Sequence, residues 1–373
     1  MEVILNTLYV PINYYFSFMS LKSSTSKIDS LQAIRGFASI SVMLFHGTTI
    51  LQERLNYKFL NDFFMAGFSG VDIFFVLSGF IILYTSSISK NNIKTFIKKR
   101  FIRIYPIYWL VTILLIVVYF ISPTPEQSYK GDIKTIFGSL ALLPQNHYIV
   151  SVAWTLTYEV LFYLIFAFSY FKHPKYLFYT LLTWTTTILF CVLLNFKSDS
   201  IVIATLINPV ILNFVLGCLI AYLYNSYSRL RYSSFLFWFS LFLFFLMWTL
   251  FFNFRISDSN AFTGKIDRLY LFGIPAALII FSVLYIPIKV PKLLVYLGDA
   301  SYSIYLIHGT VLSLLIKLLL KLNLSELFNN FGGAIVLFTG TTLISCLFYS
   351  LIEKNLLKRL NRSYSNNQLI KPI

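Results

Sequence analysis

Apolar runs about as long as a bilayer is thick recur ten times along this chain, at roughly residues 31–51, 69–88, 103–121, 154–171, 176–195, 201–224, 235–253, 269–286, 302–320 and 333–354. A helix needs about 20 apolar residues to cross the hydrocarbon layer, because each residue advances it by only about 1.5 Å. A membrane β-barrel would instead show short segments of alternating polarity, and these runs are continuous. The fold class that follows is all-α: a polytopic membrane protein with about ten transmembrane helices. Charge supports this reading. Only 12% of the 373 residues are charged, against about 25% in soluble domains.

The net charge of +16 is then a statement about loops. Nucleic-acid binding would need a basic face on a soluble domain, and the sequence has no such domain. Membrane proteins concentrate Lys and Arg in their cytoplasmic segments. With both termini inside, nineteen of the 30 basic residues fall on the cytoplasmic side and ten outside, and Arg35 lies within the first span. Cytoplasmic termini are therefore expected.

Three features complete the outline. Residues 1–18 are apolar but broken by Asn6, Pro11 and Asn13, without a basic n-region or a small-residue cleavage site. They read either as an artefact of start-site choice, with Met19 a plausible start, or as a loosely ordered interfacial segment. Cys191, Cys218 and Cys346 all lie in apolar runs and form no CxxC pair, so they read as buried hydrophobes, and no metal site is expected. The longest outer segment, 122–153, holds a short apolar piece from Ile136 to Leu143. That piece is too short to span and is expected to lie on, or dip into, the outer interface.

Ionisable residues inside spans are costly and are functional candidates by default. Arg35 and His46 are eleven positions apart in LQAIRGFASISVMLFHG, three helical turns with about 20° of drift, so they share one face. Arg35 falls near the cytoplasmic end and His46 roughly 16 Å further out. Asp72, in GFSGVDIFFVLSGFII, and Glu159, in AWTLTYEVLFYL below Trp154, fall in the outer half with His46. Either acid is placed to accept the imidazole N–H and hold His46 as a base; for Asp72, capping of its own helix start is an equal alternative. Arg100 and Arg103, three apart in KKRFIRIYPIYW, share a face at the cytoplasmic mouth of the third span, with Pro106 in its first turn. Paired guanidiniums suit phosphates, although plain positive-inside anchoring explains Lys98 and Lys99. His308, in SYSIYLIHGTV, is a secondary candidate, as is Trp154.

In this order, IRGFASISVMLFH, GFSGVDIFFVLSGFII, the Arg-x-x-Arg of RFIRIYP, WTLTYEVLFY and YSIYLIH resemble the acyltransferase-3 family of bacterial membrane O-acyltransferases, over about residues 28–356. The resemblance implies a ten-helix domain over 28–356 of the stand-alone type without an SGNH domain; with the charge bias above, an N-terminal segment 1–27 and a basic tail 357–373 are expected on the cytoplasmic side. It implies acyl-CoA, with acetyl-CoA expected, as donor substrate and no bound cofactor. The acceptor would be a hydroxyl of a surface glycan, such as O-antigen or exopolysaccharide in free or lipid-linked form, and the site would be the bacterial cytoplasmic (inner) membrane. By motif, His46 inherits the catalytic role, and Arg35, Arg100 and Arg103 the donor phosphates. The rival classes are a transporter or flippase, which often shows inverted repeats that this sequence lacks, and a polymerase of lipid-linked saccharides.

Overall fold

A computed structural model describes residues 25–89, 92–123, 125–253 and 266–369. Residues 1–18 and Met19, which entered the expectations above, lie outside them, as do residues 370–373 of the expected tail. No strand occurs among the described residues. The helices are α1 (Thr25–Leu55), α2 (Gly70–Ile88), α3 (Ile93–Ile121), α4 (Ile133–Ala141), α5 (Trp154–Tyr170), α6 (Pro174–Leu193), α7 (Ile201–Leu206), α8 (Leu212–Ser226), α9 (Ser233–Asn253), α10 (Ile274–Val283), α11 (Lys292–Asp299), α12 (Ser301–Lys321), α13 (Ser325–Phe328), α14 (Phe331–Phe348) and α15 (Lys354–Leu369). Nine helical stretches among the described residues are long and apolar enough to cross a membrane. The protein is a multi-pass, all-helical membrane protein.

The eighth expected span is shorter than the sequence suggested. A π-helical turn, Leu269–Gly273, leads into α10, and the apolar helix Leu269–Val283 measures only about 22 Å at 1.5 Å per residue. It still joins the two levels that α2 and α8 join. At one level Asn213 and Arg268 both reach Asp72; at the other, Asn225 reaches Ser87, and the Tyr285 hydroxyl donates to the Tyr227 carbonyl. Three helices thus run parallel. The short one suffices because its polar end is buried against protein, with Arg268 only 3% exposed, and need not reach headgroups.

Small residues decide how closely these helices approach. A Cβ on Gly79 of α2 would strike the carbonyl oxygen of Phe214 on α8, and one on Gly217 of α8 would strike that of Val76. With no hydrophobic drive between helices in lipid, such backbone contact is a main source of association. α1 sits centrally, packed by α2, α11, α12 and the 3-10 segment Phe59–Ser69. On the periphery, Ile113, Leu114, Val117 and Val118 of α3 and Leu343, Leu347 and Leu351 near the C-terminal end are exposed apolar side chains, which face lipid in a protein of this composition.

One local expectation is corrected and a second is made specific. The third span starts ten residues earlier than its apolar run, because the Asn92 side chain caps it by accepting from Thr95 N at 2.9 Å. Arg100 and Arg103 are therefore two to three turns inside α3, and Pro106 lies in its interior, where it removes a helical N–H. The 122–153 segment, in turn, dips alongside α3 as far as the middle of that helix. The carbonyls of Ser139, Leu140 and Ala141, closing α4, accept from Tyr108 (2.8 Å), Trp109 (2.8 Å) and Tyr105 (3.3 Å). Those residues sit midway along α3, roughly 18–24 Å below its Ile121 end. Irregular backbone at such depth must be satisfied by protein. Here the Ser139 hydroxyl accepts from Gln145 Nε2 and Ile149 N.

Candidate functional site

Helices α1, α2, α3, α5 and α12 enclose a cavity of about 130 Å³ lined by Arg35, Ser78, Arg100, Arg103, Glu159, Tyr163, Tyr302 and Tyr305, with apolar neighbours. Four of the sequence-predicted residues therefore meet: Arg35, Arg100, Arg103 and Glu159. Arg35 is oriented by Gln32, whose Oε1 accepts from its Nη1 at 3.1 Å, and Gln32 in turn donates to Asp299 of α11 at 2.7 Å. The Arg100 guanidinium lies over the Phe96 and Tyr163 rings, 5.3 and 5.6 Å from their centroids. Its Nη2 is 3.4 Å from the Thr85 hydroxyl, and its Nε is buried with no hydrogen-bond partner among the described residues. Arg103 lies over Tyr302 at 5.7 Å and 3.6 Å from Glu353.

Glu353 was missed in the sequence. It ends a π-helical turn, Tyr349–Glu353, is fully buried, and accepts from the Ser303 hydroxyl, while its Oε1 has no hydrogen-bond partner among the described residues. An acid inside the last apolar run meets the same criterion that singled out Asp72 and Glu159, but the adjoining Lys354 makes it look like part of a charged tail. Glu159 accepts from Ser78 at 3.0 Å and from the Tyr163 hydroxyl. Three guanidiniums face two carboxylates here, and Arg35 interacts electrostatically with Arg103, Glu159 and Glu353. With both acids ionised the chamber keeps one positive charge in a setting where charge is costly unless matched. An anion is the natural complement, and bidentate guanidiniums favour phosphate.

His46 lies outside this cavity lining, and neither predicted acid orients it. Both Asp72 oxygens are within 2.9 Å of Arg268 Nε, and one also accepts from Asn213 at 2.7 Å. Arg268, which directly precedes the eighth expected apolar run, also donates to the Phe68 carbonyl. The neighbour of His46 is His308: their rings stack at 5.3 Å between centroids with 27° between planes. His308 Nδ1 is 3.1 Å from the Ile304 carbonyl, so Nδ1 carries the proton and Nε2 the lone pair. That Nε2 is buried without a partner among the described residues. Ser301, Tyr305 and His308, spaced four and three apart, share one face of α12. Ser301 and Tyr305 line the arginine cavity, so the histidine pair stands about one turn beyond it. Trp154 is half-buried and packs edge-on against Tyr158 at 5.9 Å; its neighbours Thr155 and Leu156 line the cavity.

Residues 28–350 match the family model described as an acyltransferase domain. Over 310 residues the chain is 31% identical to the exopolysaccharide production protein ExoZ of Rhizobium meliloti, covering 79% of this chain and 91% of ExoZ. It is 31% identical over 115 residues to the peptidoglycan O-acetyltransferase OatA of Listeria monocytogenes, covering 29% of this chain and 17% of OatA. The acyltransferase MdmB of Streptomyces mycarofaciens is 30% identical over 154 residues, 39% of each chain. No solved structure matches.

Proposed function

Because the chain belongs to the acyltransferase-domain family, and is an acyltransferase of the membrane, we propose that it moves an acyl group from acyl-CoA to a hydroxyl of a surface polysaccharide, with acetyl-CoA the expected donor. The observation that carries the donor assignment is the three-arginine chamber with a histidine pair one turn beyond it. Coenzyme A is a phosphate-rich anion on a thin, flexible arm. Arg35, Arg100 and Arg103 hold the phosphates, and the arm runs between α1 and α12 toward His46. A sugar hydroxyl arrives from the opposite side of the bundle, outside the cell. His46 takes its proton as the oxygen attacks the thioester carbonyl. The C–O ester bond forms, the C–S bond breaks, and the proton leaves with the coenzyme A thiolate. His308, its tautomer fixed by Ile304, presents its ring to His46 and limits how that side chain turns. Names of relatives that make exopolysaccharide or acetylate peptidoglycan support the acceptor class; O-antigen or exopolysaccharide in the cytoplasmic membrane fits it.

The test is an acyl-CoA-dependent mass increment on surface glycan, in membrane vesicles of the parent and of His46→Gln at matched protein levels. A positioned base is worth roughly 10²–10⁴-fold, so the variant is expected to lose at least about 99% of the rate. Glutamine can still hydrogen-bond across the helices, so parent-like acylation by His46→Gln would make the histidine structural. Acylation independent of added acyl-CoA would overturn the donor assignment.

A further inference from the structure

Gly309 directly follows His308 in α12, and a Cβ built on it meets no atom within 4 Å. The glycines at the α2–α8 crossing are needed because any side chain would collide there; nothing of the kind explains Gly309. A helix-interior glycine costs stability relative to alanine, so the open space calls for another account. Its direction is informative. Tyr302 and Tyr305, which line the arginine cavity, precede Gly309 by seven and four positions, within about 40° of it at 100° per residue. Ile316, seven positions on and also within about 20°, is fully buried, whereas Leu314 at 56% and Leu318 at 53% exposed lie about 140–180° away; on the Gly309 side only Leu320, at 44% and next to the helix end, is exposed. The space beside Gly309 therefore faces the bundle interior, one turn past the cavity and next to the residue that stacks on His46.

Resting on the function proposed above, we infer that Gly309 is a specificity-determining residue: the space beside it receives the acyl group of the donor and sets the longest acyl chain the enzyme transfers. With phosphates at the arginines and the thioester at His46, the acyl group is the part of the donor that extends past Tyr305, and Gly309 is the open position there. A larger residue would shorten the space without disturbing phosphate grip or the histidine pair. Because a Cβ meets nothing, Gly309→Ala leaves helix packing intact.

The test compares parent, Gly309→Ala, Gly309→Val and Gly309→Leu in membrane vesicles supplied with acetyl-, propionyl- or butyryl-CoA, reading donor consumption and ester mass on the glycan. Gly340→Ala serves as control, since Gly340 is also loosely packed, with only Leu315 at 3.8 Å, but is carried by α14 and does not adjoin His308. One methylene in a shaped apolar pocket is worth about 10–200-fold. The acetyl-to-butyryl rate ratio should therefore rise at least about tenfold in Gly309→Ala and further with Val and Leu, with the control at the parent ratio. Equal loss for all three donors would overturn the inference while leaving acyl-CoA as donor. So would a parent that already rejects butyryl-CoA as strongly as the variants. Loss of glycan ester with donor hydrolysis and chain-length preference unchanged would assign the space to the acceptor and overturn it too. A parent that consumes no acyl-CoA would overturn the donor assignment and this inference with it.

Discussion

Asp72 is the intramembrane acid whose role changed most between sequence and structure, and a double-mutant cycle with Arg268 tests its new role. Both side chains are out of contact with solvent, 0% and 4% exposed, with 2.9 Å between Arg268 Nε and the carboxylate. Removing one member of a buried pair leaves the other charge uncompensated, which costs about 3–5 kcal/mol. That is a large part of a typical total stability of roughly 5–15 kcal/mol. Asn213 contributes one neutral hydrogen bond to the same carboxylate, and such bonds average about 0.6 kcal/mol in membranes. Unfolding of detergent-purified protein should therefore rank Asp72→Asn and Arg268→Ala together, each several times more damaging than Asn213→Ala. The Asp72→Asn/Arg268→Ala double variant should fall short of the summed single losses by about 2 kcal/mol or more, well beyond the ~0.5 kcal/mol scatter of independent sites. Additive losses would refute the pairing. A stably folded Asp72→Asn that no longer acylates would return Asp72 to the chemistry.

Arg100→Ala and Arg103→Ala should raise the apparent KM for acyl-CoA more than they lower kcat, since phosphate grip is mostly ground-state binding; initial rates across donor concentrations check this, and a loss unrelieved by saturating donor would contradict it. Glu353→Gln keeps the bond from Ser303 but removes the charge opposite Arg103, so it should tighten donor binding by freeing that guanidinium, read as a lower KM at matched expression. With cytoplasmic termini, a cysteine at Ser128 should be labelled by an impermeant reagent from outside intact cells and one at Asn361 should not; the reverse pattern would invert the scheme.

What the sequence determined is whatever depends on one helix at a time. Apolar length places nine spans and marks a tenth, because crossing hydrocarbon is a requirement on local composition. Helical spacing puts Arg35 and His46 on one face of α1, and Arg100 and Arg103 on one face of α3, whatever surrounds them. What only the tertiary structure decided is which polar group meets which. Periodicity gives a residue a direction but not a neighbour, and in lipid every helix offers similar apolar surface, so partners follow from small-residue crossings such as Gly79 with Gly217. That is why Asp72 pairs with Arg268 from a segment 196 positions away, why Glu159 joins the arginines instead of His46, and why Glu353 belongs to the site at all. The depth of the 122–153 segment follows from the same cause. Its backbone reaches the middle of α3 only because Tyr108 and Trp109 satisfy its carbonyls there.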